Sequence, residues 1–146
     1  MSETALSHQS LVGREFPGGR YTLEPWRAWL LADALGDDPT DLQPHPVLAW
    51  MAAVGGMGIT WDELFSWFDA TADDGPMFGE HRTTLHTPLK SGATYRVSGK
   101  ITSIDRKSGR RAGVFDVVGY ELYLHDEQAH VATCWNSLVL PRRTEG

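Results

Sequence analysis

The hydrophobic pattern of the chain changes once, from helical spacing in the first half to strict alternation in the second. The stretch at residues 46–54 is uncharged and apolar on every side, and Gly55 and Gly56 follow it directly. An amphipathic surface helix has a polar face, so a helix without one has to be covered by the rest of the protein. We therefore predict a buried helix here, around which the chain is organised.

Two further helices are predicted on either side of this stretch. One covers residues 22–36, with Pro25 in its first turn and apolar side chains at helical spacing. The other covers residues 61–68, where Thr60 and Glu63 have the spacing of a capping box. Before them, a short edge strand is predicted at residues 12–16, followed by a turn at residues 17–19.

From residue 77 onward, apolar and polar positions alternate with a period of two. The pattern predicts strands at residues 77–89, 93–105, 114–124 and 129–140, joined by short turns, with a basic hairpin loop at residues 106–111. The predicted fold class is α+β, with one antiparallel sheet wrapped around the buried central helix. We expect a flexible N-terminus at residues 1–10, a single domain at 11–141 and a C-terminal tail at 142–146.

Composition narrows the function classes. The chain of 146 residues has a net charge of −6, and a general nucleic-acid surface needs a basic excess instead. The lone Cys134 excludes an intramolecular disulfide, and its alternating apolar surroundings predict a buried, inert thiol. No metal-binding motif, signal peptide or apolar run of membrane-spanning length is apparent. A cytoplasmic protein that needs no metal is the simple expectation.

Residues 79–97 contain the pattern Thr-Pro-Leu-Lys-Ser-Gly between two predicted strands, and residues 34–39 read Ala-Leu-Gly-Asp-Asp-Pro. In this order and spacing, residues 11–141 resemble the MaoC-like acyl dehydratases, especially their N-terminal-half subfamily. The resemblance implies the hot-dog fold. It also implies addition of water to enoyl thioesters, or its removal from 3-hydroxyacyl thioesters. The substrate would be carried on coenzyme A or acyl carrier protein, with no other cofactor.

The resemblance also exposes two departures from the pattern of active members, which carry Asp-x-Asn-Pro-x-His and then a His-Gly pair. Asp37 or Asp38 supplies the first acid, but Asp41 stands where the catalytic His is expected. His45 matches the second His, and Pro46 replaces the Gly whose N–H would bind the thioester carbonyl. Losing one such donor costs about 3–4 kcal/mol of transition-state stabilisation. Asp38 and His45 are therefore the candidate catalytic residues of a site expected to be weak or inactive.

The resemblance thus implies a degenerate subunit that shapes an acyl pocket and pairs with an active hot-dog chain in a homo- or hetero-oligomer. An isolated hot-dog chain would leave a sheet edge open, and such edges are normally paired or covered. The residues expected near the acyl group are Trp50, Met51, Trp61, Phe65, Trp67 and Phe68. The residues that could contact the phosphates of coenzyme A are Arg106, Lys107, Arg110 and Arg111. For both sets, ordinary packing or solvation is an alternative interpretation.

Three other functions stay open at this point. The chain could be a self-sufficient hydratase that uses Asp38 and His45. It could be a hot-dog thioesterase, although the central helix has no carboxylate and Asp62 and Glu63 lie beyond the glycine break. It could also be a non-enzymatic acyl-binding protein. His81 and His86 are five residues apart on one predicted strand, so alternation places them on opposite faces.

Overall fold

A computed structural model describes residues 8–39, 43–111 and 113–142. Its strands are β1 (Gly19–Thr22), β2 (Met77–Leu85), β3 (Thr94–Gly109), β4 (Gly113–His125) and β5 (His130–Pro141). Its helices are α1 (Pro25–Ala34), α2 (Val47–Gly55) and α3 (Trp61–Trp67), followed by a 3-10 turn at Ala72–Asp74. The strands form one antiparallel sheet in the order β1-β3-β4-β5-β2, which confirms the predicted α+β class.

Helix α2 is the central helix that the sequence predicts. It contacts all five strands, and four of its residues are buried, namely Leu48, Ala49, Ala52 and Ala53. The small alanine side chains let the helix axis approach the sheet closely. Gly56 continues this contact, because a Cβ there would lie 2.4 Å from Cγ2 of Val97.

The sheet buries one side of α2, and part of the other side is exposed in the described chain. Val47 and Met51, one helical turn apart, are each 37% exposed. Met77 and Phe78, at the start of the edge strand β2, are 57% and 58% exposed. An apolar surface of this kind beside an open strand edge is typical of a protein–protein contact.

The strand predicted at residues 12–16 is wrong. Residues 13–16 make backbone hydrogen bonds to β3, but their only bridge is the isolated one between Glu15 and Lys100. The first strand is β1, which pairs with β3. Gly13, inside the predicted strand, and Gly18, in the predicted turn, have φ angles of 92° and 73°, so the chain leaves the extended conformation at both positions. The expected addition of an N-terminal strand to the edge of the meander is confirmed, but with different residues.

The lengths of the later strands also differ from the prediction. β2 ends at Leu85 rather than at residue 89, ahead of the turn that contains Pro88. Pairing of β3 with β4 continues as far as Gly109 opposite Gly113, so most of the predicted hairpin loop at residues 106–111 is strand. Alternation alone did not reveal this extension, because charged residues on the solvent face of a long hairpin resemble loop composition.

The predicted helix at residues 22–36 is shorter in the structure. α1 begins at Pro25 as expected, and Gly36 follows its C-terminal end with a φ of 77°. No residue of α1 is buried, and Trp26, Trp29 and Leu30 are about half exposed. The apolar stripe of α1 is therefore open within the single chain.

The capping box of α3 is confirmed. Oγ1 of Thr60 accepts a hydrogen bond from the N–H of Glu63, and the Glu63 side chain accepts one from the N–H of Thr60. Among the described residues, no helix is long and apolar enough to cross a membrane.

Both ends of the described chain are attached to the core. His8 is 3% exposed and lies 3.0 Å from a carboxylate oxygen of Asp69, and Gln9 donates to the carbonyl of Ile104. Arg142 is bound to Asp116. The remaining residues of the predicted flexible terminus and tail, 1–7 and 143–146, lie outside the described residues.

Candidate functional site

A pocket of about 700 Å³ lies between α1, the loop that precedes α2 and the segment after β2. Both candidate catalytic residues, Asp38 and His45, line it. Trp29 of α1 forms one wall, and Leu85 and Leu89 form another. The structure thus brings the two candidates into one cavity. Asp41, the third residue of the loop comparison, lies outside the described residues.

The start of α2 gives a structural account of the missing oxyanion donor. Pro46 has no N–H, and the N–H of Val47 donates to Nδ1 of His45 at 3.1 Å. The next two amides, of Leu48 and Ala49, donate to the carbonyls of His45 and Pro46, each at 3.0 Å. Every amide at this helix start is already in use, so none is available to a thioester carbonyl.

His45 is consequently tied to a structural role. Because Nδ1 accepts from Val47, a neutral imidazole carries its proton on Nε2. In this state the ring can donate a hydrogen bond into the pocket but has no free lone pair with which to activate water. The arrangement opposes a general-base role for His45 without a change of its partner.

His45→Ala should lower the free energy of unfolding by about 1 kcal/mol, the usual effect of losing a side-chain acceptor at a helix start. His45→Asn is the matched control, because an Asn side chain can accept from the N–H two residues later. Urea unfolding of both variants measures the difference. Equal destabilisation by both would contradict the capping role.

The six residues predicted near an acyl group do not line this pocket, and they fall into two groups. The first group forms an aromatic cluster around Phe78 of β2. The centroid of the Phe78 ring lies 6.2 Å from that of Trp50 and 5.1 Å from that of Trp61. Phe65 stacks on Trp61, with ring centroids 6.5 Å apart. Met51 is partly exposed beside this cluster on α2.

The second group consists of Trp67 and Phe68, at the C-terminal end of α3. Trp67 packs on Phe16 with ring centroids 5.4 Å apart, and Arg14 lies over the Trp67 ring. Phe68 is fully buried and meets the ring of His8. These contacts are those of core residues, and a role in acyl binding stays a prediction.

Sequence reasoning missed a polar network between α2 and the sheet. Oδ1 of the buried Asn136 accepts from Nε1 of Trp50 at 3.1 Å and lies 2.7 Å from Nδ1 of His81. Nε2 of His81 bonds Oγ1 of Thr83, which contacts the Cys134 sulfur. Because Asn136 offers an oxygen to two donors, the network places the neutral proton of His81 on Nδ1.

The positions of His81 and His86 agree with the predicted alternation. His81 faces α2, whereas His86 contacts His130 and Thr133 on the other face of the sheet. Cys134 is fully buried, as predicted, and burial raises the pKa of its thiol. The thiol is therefore a poor nucleophile in this position.

The four basic residues proposed for coenzyme A phosphates are not equivalent. Arg106 lies on β3 and donates to both carboxylate oxygens of Asp116, at 2.9 and 3.1 Å. Lys107, Arg110 and Arg111 are exposed at the tip of the β3–β4 hairpin. Only these three have side chains directed to solvent, and the binding role itself stays a prediction.

Known structures place this architecture in a recognised fold. The ChsH1-ChsH2 complex from Mycobacterium tuberculosis matches with a TM-score of 0.72 at 12% identity, over 97% of this chain and 92% of that chain. The HadBC (3R)-hydroxyacyl-ACP dehydratase complex from the same organism matches with 0.65 at 15% identity, over 88% and 96%. A MaoC-like dehydratase from Phytophthora capsici matches with 0.68 at 15% identity, over 93% of this chain and 50% of that one.

The chain therefore has the hot-dog fold of the MaoC-like dehydratases, as its sequence suggested. The fold alone does not select the reaction, because a fluoroacetyl-CoA-specific thioesterase also matches, with a TM-score of 0.60 at 12% identity. No sequence model of a protein family matches the chain, and no curated protein sequence does so either.

Proposed function

We propose that this chain is the degenerate subunit of an acyl-thioester hydratase or dehydratase, paired with an active hot-dog chain. The observation that carries the proposal is the start of α2, where Pro46 lacks an N–H and the next amides are all occupied. A thioester carbonyl in the pocket would find no backbone donor there to stabilise its developing charge. In the loop before α2, Asp41 also stands where the resemblance leads us to expect the catalytic His.

The partner would cover the surface that one chain leaves open. Among the described residues, no strand pairs with the outer edge of β2, where Met77 and Phe78 are exposed, and Met51 on α2 is also partly exposed. A second hot-dog chain adding to this edge would pair the free backbone groups and bury these side chains. Hetero-complexes of this fold, such as the HadBC dehydratase, make such an arrangement reasonable.

The test is hydration of a medium-to-long enoyl-coenzyme A, followed by loss of the absorbance of the conjugated thioester. We expect no activity from the purified chain alone, and activity when a co-purifying hot-dog partner is added. In that mixture, His45→Ala in this chain should leave the rate unchanged, because the chemistry lies in the partner. Activity of the chain alone at the rate of the mixture would overturn the proposal.

The two deficits can be tested by repair. Asp41→His combined with Pro46→Gly would restore both the acid–base residue and the backbone donor. We expect measurable activity from the double variant only, since each single change leaves one deficit in place. Activity from Pro46→Gly alone would mean that Asp38 already supplies sufficient base.

A self-sufficient hydratase is the second candidate, and it is favoured by one observation: Asp38 and His45 line the same pocket. It requires activity of the isolated chain that His45→Ala abolishes. A thioesterase would instead release free thiol from an acyl-coenzyme A, which a thiol reagent detects in the same samples.

A further inference from the structure

A row of basic side chains crosses the outer face of the sheet, away from α2, with one residue on each of four strands and one just after β2. The register places Arg20 of β1 opposite Arg96 of β3, Arg96 opposite His125 of β4, and His125 opposite His130 of β5. His86, just after β2, stacks on His130 with ring centroids 4.5 Å apart, and His125 and His130 are 5.0 Å apart. We call these five residues the basic row.

The basic row is unfavourable within the chain itself. Like charges on directly opposite residues of neighbouring strands destabilise a sheet. Within the part of the chain that the structure describes, neither the Arg20 nor the Arg96 guanidinium has a hydrogen bond or an ion pair. With the histidines neutral, the chain has a net charge of −6, and Arg20 and Arg96 are the two fixed cations of the row. An external anion would offset the repulsion between these two guanidinium groups.

Charged and polar groups face His125 from its own strand and from the strands on either side. Burial and then the charges of His130 and Arg96 lower the pKa of His125. Tyr123 lies beside it on β4, with its hydroxyl bonded to Glu121. The nearest carboxylate in sequence, Asp126, accepts from two backbone N–H groups of its own turn, each at 2.8 Å.

A groove of about 390 Å³ runs along one half of the basic row. It is lined by Arg20, Arg96, Ser98 and His125, with Gly19 leaving room at its edge. Guanidinium groups bind phosphate oxygens through paired N–H donors, and Ser98 adds a hydroxyl. The side chains that line this groove are therefore suited to binding a phosphate group.

The basic row is also continuous with the candidate pocket, because His86 belongs to both. Neighbouring strands are about 4.8 Å apart, so the distance from His86 across to Arg20 is roughly 19 Å. A ligand with its reactive end in the pocket could therefore extend along the row.

We propose that the basic row binds the phosphates of coenzyme A while the acyl thioester occupies the candidate pocket. This inference rests on the proposed function and selects coenzyme A over acyl carrier protein. Coenzyme A carries a diphosphate and a further phosphate on its ribose, which suit several cations in a line. A carrier protein offers a single phosphate on its prosthetic arm.

The hairpin residues are less suited to the same ligand. Lys107 lies eleven residues beyond Arg96 on β3, which at about 3.3 Å per residue is roughly 35 Å from the groove. Phosphates bound at the hairpin tip would therefore be remote from a thioester in the pocket.

Calorimetric titration of the full chain with coenzyme A, and separately with adenosine 3′,5′-bisphosphate, tests the inference without turnover. Arg20→Ala and Arg96→Ala should each weaken binding by about tenfold, the effect of one lost charge-assisted contact. Lys100→Ala is the matched control, because Lys100 lies on the same face of β3 opposite Glu121. Affinity should also fall with added salt and rise as the pH is lowered from 8 to 6, since bound phosphate favours the imidazolium form.

Three results would overturn the inference. They are unchanged binding in both arginine variants, loss of binding on Arg110→Ala with Arg111→Ala instead, and retention of an acyl carrier protein without binding of either nucleotide. Each of these would leave the hydratase proposal standing. Conversely, nucleotide binding that depends on Arg96, with no turnover by any mixture, would support the basic row and count against the hydratase.

Discussion

Replacing Asp116 by alanine should lower the free energy of unfolding by about 3–5 kcal/mol, the usual cost of removing one partner from a buried ion pair. The Asp116 side chain is 3% exposed, and its two oxygens accept from Arg106 and Arg142 at 2.9–3.1 Å. Removing the carboxylate leaves two largely buried guanidinium groups without a counter-charge. Urea unfolding at neutral pH measures the loss.

The neighbouring Asp105 supplies the control. Asp105 is exposed on β3, and Asp105→Ala should change stability by less than about 0.5 kcal/mol. A loss below about 1 kcal/mol in Asp116→Ala would mean that the two arginines are rehydrated, as in a surface ion pair.

The effect of Asp116 should also depend on pH. Burial acts to raise its pKa, but hydrogen bonds and charges from Arg106 and Arg142 lower it below the ordinary value of 3.8. The unfolded chain therefore takes up the proton first as the pH falls. The stabilisation is complete above pH 3.8 and is lost as the pH falls through the folded pKa. The difference between wild type and Asp116→Ala should accordingly shrink in acid.

Phe68→Ala should lower the free energy of unfolding by about 3–5 kcal/mol, because it creates a cavity in the core. Phe68 is fully buried beneath the N-terminal segment, in contact with the ring of His8. The sequence alone left open whether this residue contacts an acyl chain. Denaturant unfolding together with titration of a non-hydrolysable acyl-coenzyme A analogue separates the two roles.

The comparison is with Trp61→Ala, which removes a larger but partly exposed ring near the open β2 edge. We expect the smaller stability loss there, despite the larger side chain. If Phe68→Ala cost less than about 1 kcal/mol and selectively weakened acyl binding, the packing interpretation would be wrong.

Local patterns determined much of the fold. The uncharged run at 46–54 predicted the central helix, and its neighbouring glycines predicted the end of that helix. Thr60 and Glu63 predicted a capping box, and the switch to alternation predicted an antiparallel meander. Each is decided within a few residues, where side-chain spacing and backbone preference act directly. The prediction of a strand failed at 12–16, where Gly13 leaves the extended conformation.

The candidate site was only partly accessible to sequence reasoning. The absence of an N–H at Pro46 follows from its chemistry alone. That the following amides are also occupied, and that His45 is one of their acceptors, depends on how the loop meets α2. The sequence therefore showed that Pro46 offers no donor, and the geometry showed that the amides after it are occupied.

The sequence by itself determined most of the elements, the fold class and the absence of an N–H at Pro46. Only the tertiary structure decided which distant residues meet. Trp50, Asn136 and His81 share hydrogen bonds although 86 residues separate the first two. The basic row likewise combines single residues from four strands and from the segment after β2, and none of these residues is distinctive in its local sequence. The reason is physical: strand register and helix docking are set by the summed burial of the whole core, which no local stretch of the chain encodes.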